Sequence, residues 1–123
     1  MAGDNRHTAR IAALNDEFRQ ATGLTRTGTA AVPGRYVLTR GIAALSAEAQ
    51  VEILGRMRTF SDFKPANDPY REHDFGNIAL AGGTEVFWKI DYYADGDMEF
   101  GAEDPADPNR SFRVLTIMLA AEY

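Results

Sequence analysis

Two hydrophobic rhythms run along the chain, and they change over near its middle. From Thr8 to Ala21 apolar residues recur at helical spacing, with Ile11, Leu14 and Phe18 on one stripe and Asp16, Glu17, Arg19 and Gln20 mostly toward solvent. Gly23 follows where a helix end favours a left-handed residue, so the spacing predicts a helix over 8–21. Residues 1–7 then read as a flexible tail. Residues 22–34 (TGLTRTGTAAVPG) are rich in Gly and Thr and close on Pro33-Gly34, which predicts a mobile loop. Tyr36 to Thr39 reads as a short strand. Ser46 is placed to cap a second helix, with Glu48 in its first turn near the positive end of the dipole. Val51, Leu54 and Met57 form the stripe of that helix, widened by Ile53 and Phe60. Pro65 and Pro69 make the next stretch extended and turn-rich.

Beyond residue 74 the rhythm becomes that of strands. Phe75 to Leu80 and Thr84 to Tyr93 flank Gly82-Gly83, a strong hairpin turn. In the second of these strands Val86, Trp88, Ile90 and Tyr92 share one face, and Phe87, Lys89, Asp91 and Tyr93 the other. Asp95-Gly96 is a further hairpin signal, returning through Met98, Glu99 and Phe100. Asp104-Pro105 and Asp107-Pro108 build a stiff acidic loop. The segment Phe112 to Tyr123 has strand formers first and helix formers last. Its continuous apolar run favours a central strand buried on both faces. Helices followed by strands predict an α+β fold, with two N-terminal-half helices on one face of a C-terminal antiparallel sheet of about four strands. No repeat or low-complexity tract interrupts the chain, and 1–123 is expected to form one domain.

Composition narrows the classes. With 123 residues the chain is long enough to close a hydrophobic core without staples. It lacks cysteine, which excludes thiol catalysis and Cys-based zinc sites. No apolar run is long enough to span a membrane, and no secretory leader is visible, so a cytoplasmic protein is expected. The net charge of −5 conceals an asymmetry. Residues 1–40 carry six arginines against three acids, whereas residues 67–123 carry twelve acids against four basic residues. Asp91, Asp95, Asp97, Glu99, Glu103, Asp104 and Asp107 form the densest part, without an intervening Lys or Arg. Such a surface aids solubility, and it also suits a basic protein partner, because complementary potential steers association.

Candidate chemistry centres on Asp68-Pro69-Tyr70-Arg71-Glu72-His73-Asp74-Phe75-Gly76. His73 is flanked by two carboxylates and could serve as base or ligand, with Glu72, Asp74 and Asp91 as orienting or metal-binding groups. In an extended chain, however, Glu72 and Asp74 share a face from which His73 points away. The competing role for His73 or Asp74 is to fix the loop entering the sheet. A calcium-loop alignment on Gly96 puts Tyr93 and Ala102 at ligand positions and fails. Nucleophile-elbow, phosphate-loop, dinucleotide and zinc-protease patterns are missing from the sequence. Phe87, Trp88, Tyr92 and Tyr93 could stack bases, but Lys89 is the one cation beside them and the acids that follow would repel a phosphate backbone, so no direct nucleic-acid binding is expected. No cofactor and no metal site are expected. Exposed sheet edges allow a monomer or a homodimer.

DPYREHDFG at 68–76, VFWKIDYY at 86–93, DPADP at 104–108 and RVLTIMLAAEY at 113–123 together resemble one bacterial domain-of-unknown-function family. IAALNDEFRQ and VLTRGIAAL match it too, so the resemblance spans nearly the whole chain. It implies a compact domain of this length, mainly in alphaproteobacteria and often on plasmids and other mobile elements, and it brings no assigned activity, cofactor or catalytic residue. Two functions stand open: a non-enzymatic acidic module, such as a nucleic-acid-mimicking inhibitor of restriction or CRISPR machinery, and a small hydrolase built on Glu72, His73, Asp74 and Asp91.

Overall fold

A computed structural model describes residues 2–123, with side chains from Asn5 onward. Helix α1 spans Ala2–Gln20, β1 Gly34–Leu38, α2 Arg40–Ala43, α3 Ala47–Arg58, β2 Phe75–Ala79, β3 Glu85–Tyr93 and β4 Phe112–Leu119, and a 3₁₀ turn closes the chain at Ala120–Glu122. Helix α1 therefore takes in most of the expected tail, and the remainder, Met1, lies outside the described residues. The loop at 22–34 is anchored at its far end. Val32 is buried, and Thr29 Oγ1 donates to Glu17 Oε2 at 2.8 Å.

The four strands lie in the order β1-β4-β3-β2. β2 and β3 form the expected hairpin around Gly82-Gly83, and β3 pairs antiparallel with β4. β1, however, pairs with β4 in parallel, from Gly34 opposite Arg113 to Leu38 opposite Ile117. The sheet is thus mixed rather than wholly antiparallel. The geometry follows from chain length: β1 and β4 are separated by α2, α3 and the β2–β3 hairpin, a connection long enough for the crossover that a parallel pair needs. The return through Met98, Glu99 and Phe100 is no strand; a turn there closes on a single bridge from Tyr93 to Gly101.

β4 is central and buried on both faces, as its unbroken apolar run predicts. Leu115 and Ile117 point toward the helices, and Val114 and Met118 are buried on the other side. Opposite them on the helix-facing side stand Trp88 and Ile90 of β3. Ile11, Leu14 and Phe18 of α1 are buried as the stripe predicts. In α3 the buried face runs through Ile53 and Met57, whereas Val51 is 68% exposed. A four-residue step, not the three-residue step from Val51, turns α3 to the sheet. Ser46 caps α3 by accepting from Ala49 N, and Thr39 caps the one-turn α2, a third helix that hydrophobic spacing did not announce.

Two close approaches require glycine. Gly76 stands opposite Trp88 in the β2–β3 register, and a Cβ there would enter the indole. Gly34 likewise leaves room for the ring of Phe18, which stacks on Tyr36 with centroids 4.5 Å apart.

Candidate functional site

The polar chemistry gathers where α1 crosses the segment 57–75 and the start of β4. The largest departure from expectation is Arg19, which is only 2% exposed. Its Nε donates to Met57 O at 3.0 Å and Nη2 to Phe60 O at 3.1 Å, so the guanidinium closes the C-terminal end of α3, where carbonyls lack helical partners. Its Nη1 holds Asp16 Oδ1 at 2.8 Å, and its Cζ lies over the rings of Phe63 and Trp88.

That same Asp16 oxygen is 2.9 Å from His73 Nδ1. His73 has φ +58°, stacks flat on Phe63 with centroids 3.9 Å apart, and turns Nε2 toward Asp68 Oδ2 at 3.9 Å. Asp68 is buried, and its other oxygen accepts from His73 N. His73 is therefore set between two carboxylates, but they are Asp16 and Asp68, not its neighbours Glu72 and Asp74. The extended alternation expected here is absent: Arg71 and His73 are both left-handed, and Glu72 and Asp74 do not share a face. The partners come from an aspartate on α1 and from one five residues upstream, and only the second stood in the sequence cluster.

Glu72 turns into a different network. Tyr92 Oη donates to Glu72 Oε1 at 2.8 Å, and Asn15 Nδ2 donates to Tyr92 Oη and to Glu72 O. Asn15 Oδ1 accepts from Arg113 Nε at 2.6 Å, and Arg113 also donates to Ser111 Oγ and Pro105 O. Burial pushes the Tyr92 hydroxyl pKa far up and lowers that of Arg113, whose charge Glu72 partly balances. Asp74 faces yet another way, into a cleft of about 420 Å³ that Asp91 also lines. Desolvation, with Glu72, Asp68 and Asp91 adding like charge, raises the Asp74 carboxyl to about 6. The four residues Glu72, His73, Asp74 and Asp91 thus divide among three environments, and only Asp74 and Asp91 share one. Among the described residues no three His, Asp or Glu side chains group closely enough to hold a metal ion.

The acidic stretch leaves β3 as a loop whose second half packs back through Pro105 O onto Arg113. Asp91 pairs with Lys89 at 3.1 Å, Glu103 with Arg110 at 3.5 Å, and Asp104 Oδ1 lies 3.4 Å from His7 Nε2. Asp95, Asp104 and Asp107 each accept from a backbone N–H two residues on, which shapes the turns. Asp95, Asp97 and Glu99 have no basic partner among the described residues. Beside them Phe100 is 74% exposed. The sequence offered Phe100 as a returning strand, and nothing in its pattern marked it as free.

Helices layered on one face of a four-stranded mixed sheet, with an acidic loop running out from its third strand, define an α+β domain. The chain belongs to the family described as protein of unknown function (DUF3768), which matches residues 38–122. Asn15, Asp16 and Arg19 lie outside the matched region, so α1 supplies part of the polar network from beyond it. Comparison with curated proteins and with solved structures gives no match. No helix among the described residues is long and apolar enough to cross a membrane.

Proposed function

We propose that the protein is a non-enzymatic interaction module whose acidic loop binds a basic protein partner in the bacterial cytoplasm. The observation that carries this reading is the exposed ring of Phe100, which follows Asp95, Asp97 and Glu99 in the same loop. An aromatic side chain held in water adds affinity when a partner covers it, and neighbouring charge steers that partner to it. Asp91, Glu103, Asp104 and Asp107 extend the same negative field. If the sequence resemblance to a mainly alphaproteobacterial family often carried on mobile elements extends to context, the specific form it favours is a nucleic-acid-mimicking inhibitor of restriction or CRISPR machinery. The hydrolase reading is weaker, because Glu72, His73, Asp74 and Asp91 do not converge on one cavity.

Affinity capture from host lysate at low and high salt tests the proposal, using the native chain, an Asp95→Asn/Asp97→Asn/Glu99→Gln variant and Phe100→Ala. The expected result is a partner retained by the native chain at low salt, released at high salt and lost with either variant. Identical partners for all three proteins would sink it.

A further inference from the structure

A cleft of about 420 Å³ lies between the segment 66–75 and the middle of β3, reached from the other side by the C-terminal Tyr123. It is lined by Tyr70, Asp74, Phe75, Lys89, Asp91 and Tyr123, among others. Tyr70 and Tyr123 are each about three-quarters exposed, at 75% and 76%, and the core makes no use of their rings. Tyr123 is positioned by edge contacts with Phe75 and Phe87, with centroids 5.8 and 5.5 Å apart. Among the described residues the partly buried Asp74 carboxylate has its own backbone N–H as a donor and no side-chain partner. Aromatic faces beside a carboxylate that no side chain engages are what a planar organic cation needs: the rings attract it through their quadrupoles, and carboxylate oxygens accept its N–H groups.

We propose that this cleft receives the guanidinium of an arginine side chain, contributed by the basic partner, on Asp74 and Asp91 between the aromatic rings of Tyr70 and Tyr123. Arginine fits better than lysine because its flat fork both stacks on rings and bonds two carboxylates, whereas an ammonium is a compact, strongly hydrated point charge. Lys89 is the competitor already present. Its pair with Asp91 is half exposed on both sides, an arrangement that stabilises little, so an incoming guanidinium displaces it at small cost. The inference rests on the reading of the protein as a binder of basic partners, to which it adds a subsite and a side-chain preference.

The test is a titration of the isotope-labelled full chain with N-acetyl-arginine amide, N-acetyl-lysine amide and the neutral N-acetyl-norleucine amide, followed by NMR shifts. Saturable shifts confined to Tyr70, Asp74, Asp91, Tyr123 and their neighbours are expected with the arginine probe, weaker ones with lysine and none with norleucine. Asp74→Asn is expected to weaken arginine binding about tenfold, the scale of a lost charge-assisted contact. Tyr70→Ala, at an exposed position that leaves folding intact, is expected to weaken it about threefold. Binding is also expected to fall from pH 7.5 to pH 5, as the Asp74 carboxyl, surrounded by Glu72, Asp68, Asp91 and Lys89, takes up its proton. Non-saturating shifts spread over the acidic surface, an equal response to norleucine, or indifference to both variants would each overturn the subsite. Val51→Ala, on the exposed face of α3, should leave arginine-amide binding unchanged. Loss of the partner with Phe100→Ala alongside no arginine site refutes the subsite alone, while a working site in a protein that captures no partner refutes the parent reading alone.

Discussion

Arg113 Nε donates to Asn15 Oδ1 at 2.6 Å, tying the last strand to the first helix across 98 residues of chain. The contact is the centre of a buried relay in which Asn15 passes hydrogen bonds from Arg113 to Tyr92 and to the Glu72 backbone. Removing a partner from a buried charged group costs more than the bond itself contributes, because Arg113 Nε is left without water or acceptor even while its other nitrogens keep Ser111 and Pro105. Asn15→Ala is therefore expected to lower unfolding free energy by about 2–4 kcal/mol in urea titration. A loss below about half a kcal/mol would show that the relay is dispensable.

Arg19 combines three acceptors that no lysine can reach together. Arg19→Lys keeps the charge but is expected to lose about 2 kcal/mol, because a single ammonium cannot serve Met57 O, Phe60 O and Asp16 at once. Hydrogen exchange should accelerate most around residues 57–63. Uniform acceleration across the sheet would place the role of Arg19 elsewhere.

Asp74 gives stability an acid-side dependence. Its folded pKa, about 6, lies above the ordinary 3.8, so the folded state holds the proton more tightly than the unfolded chain does. The associated stability is complete below about pH 4 and is lost as pH rises through 6. Asp74→Asn should accordingly stabilise the protein at pH 7.5 by about 1 kcal/mol, after discounting for partial solvation, and leave it unchanged at pH 3.5. Thermal melts at the two pH values check this, and an equal shift at both would refute it.

Glu122 gives the opposite dependence. Its carboxylate accepts from Thr39 Oγ1 at 2.6 Å, from Gly41 N at 3.0 Å and from Leu119 N at 2.8 Å, which holds its pKa below the usual range. These contacts are present above the unfolded pKa and lost as pH falls through the lower folded one. Glu122→Ala is expected to speed amide exchange at Gly41 and over 119–123 at neutral pH. At a pH low enough to protonate Glu122, native and variant proteins should exchange alike.

Gly76→Ala sets a methyl group against the Trp88 indole, which is fully buried beside Phe60 and Phe63. Overpacking of this kind is expected to cost about 2–3 kcal/mol and to change the near-ultraviolet signal of the lone tryptophan. An unaltered tryptophan signature would mean that the strand shifts to make room.

The elements legible in the sequence are those whose burial repeats. The alternation of Val86, Trp88, Ile90 and Tyr92 placed β3 and its inner face, and the run from Val114 to Met118 placed a doubly buried strand. Pairing direction leaves no such imprint: β1 reads the same beside either neighbour, and only the connection makes it parallel to β4. Polar burial was least legible. Asn15 and Arg19 lie four residues apart on α1, as a buried flank would, but polarity argued for solvent until the acceptors offered by α3 and Arg113 were in view. Asp16 failed to stand out for the same reason, since its histidine partner lies 57 residues away. His73 stood out in the sequence, but the shared face expected for Glu72 and Asp74 does not form, because the left-handed residues Arg71 and His73 break the extended run.

The position of β4 imposes an order on biosynthesis. The strand that both β1 and β3 bond to is the last of the four to leave the ribosome. Until it arrives, the β2–β3 hairpin can form locally, but β1 has no partner and the inner rows of Trp88 and Ile90 lack their cover. A nascent chain stalled before Phe112 would thus present two open strand edges with a gap between them. Such a species is a substrate for chaperones or for another copy's β4, which makes strand exchange the characteristic misassembly of this topology.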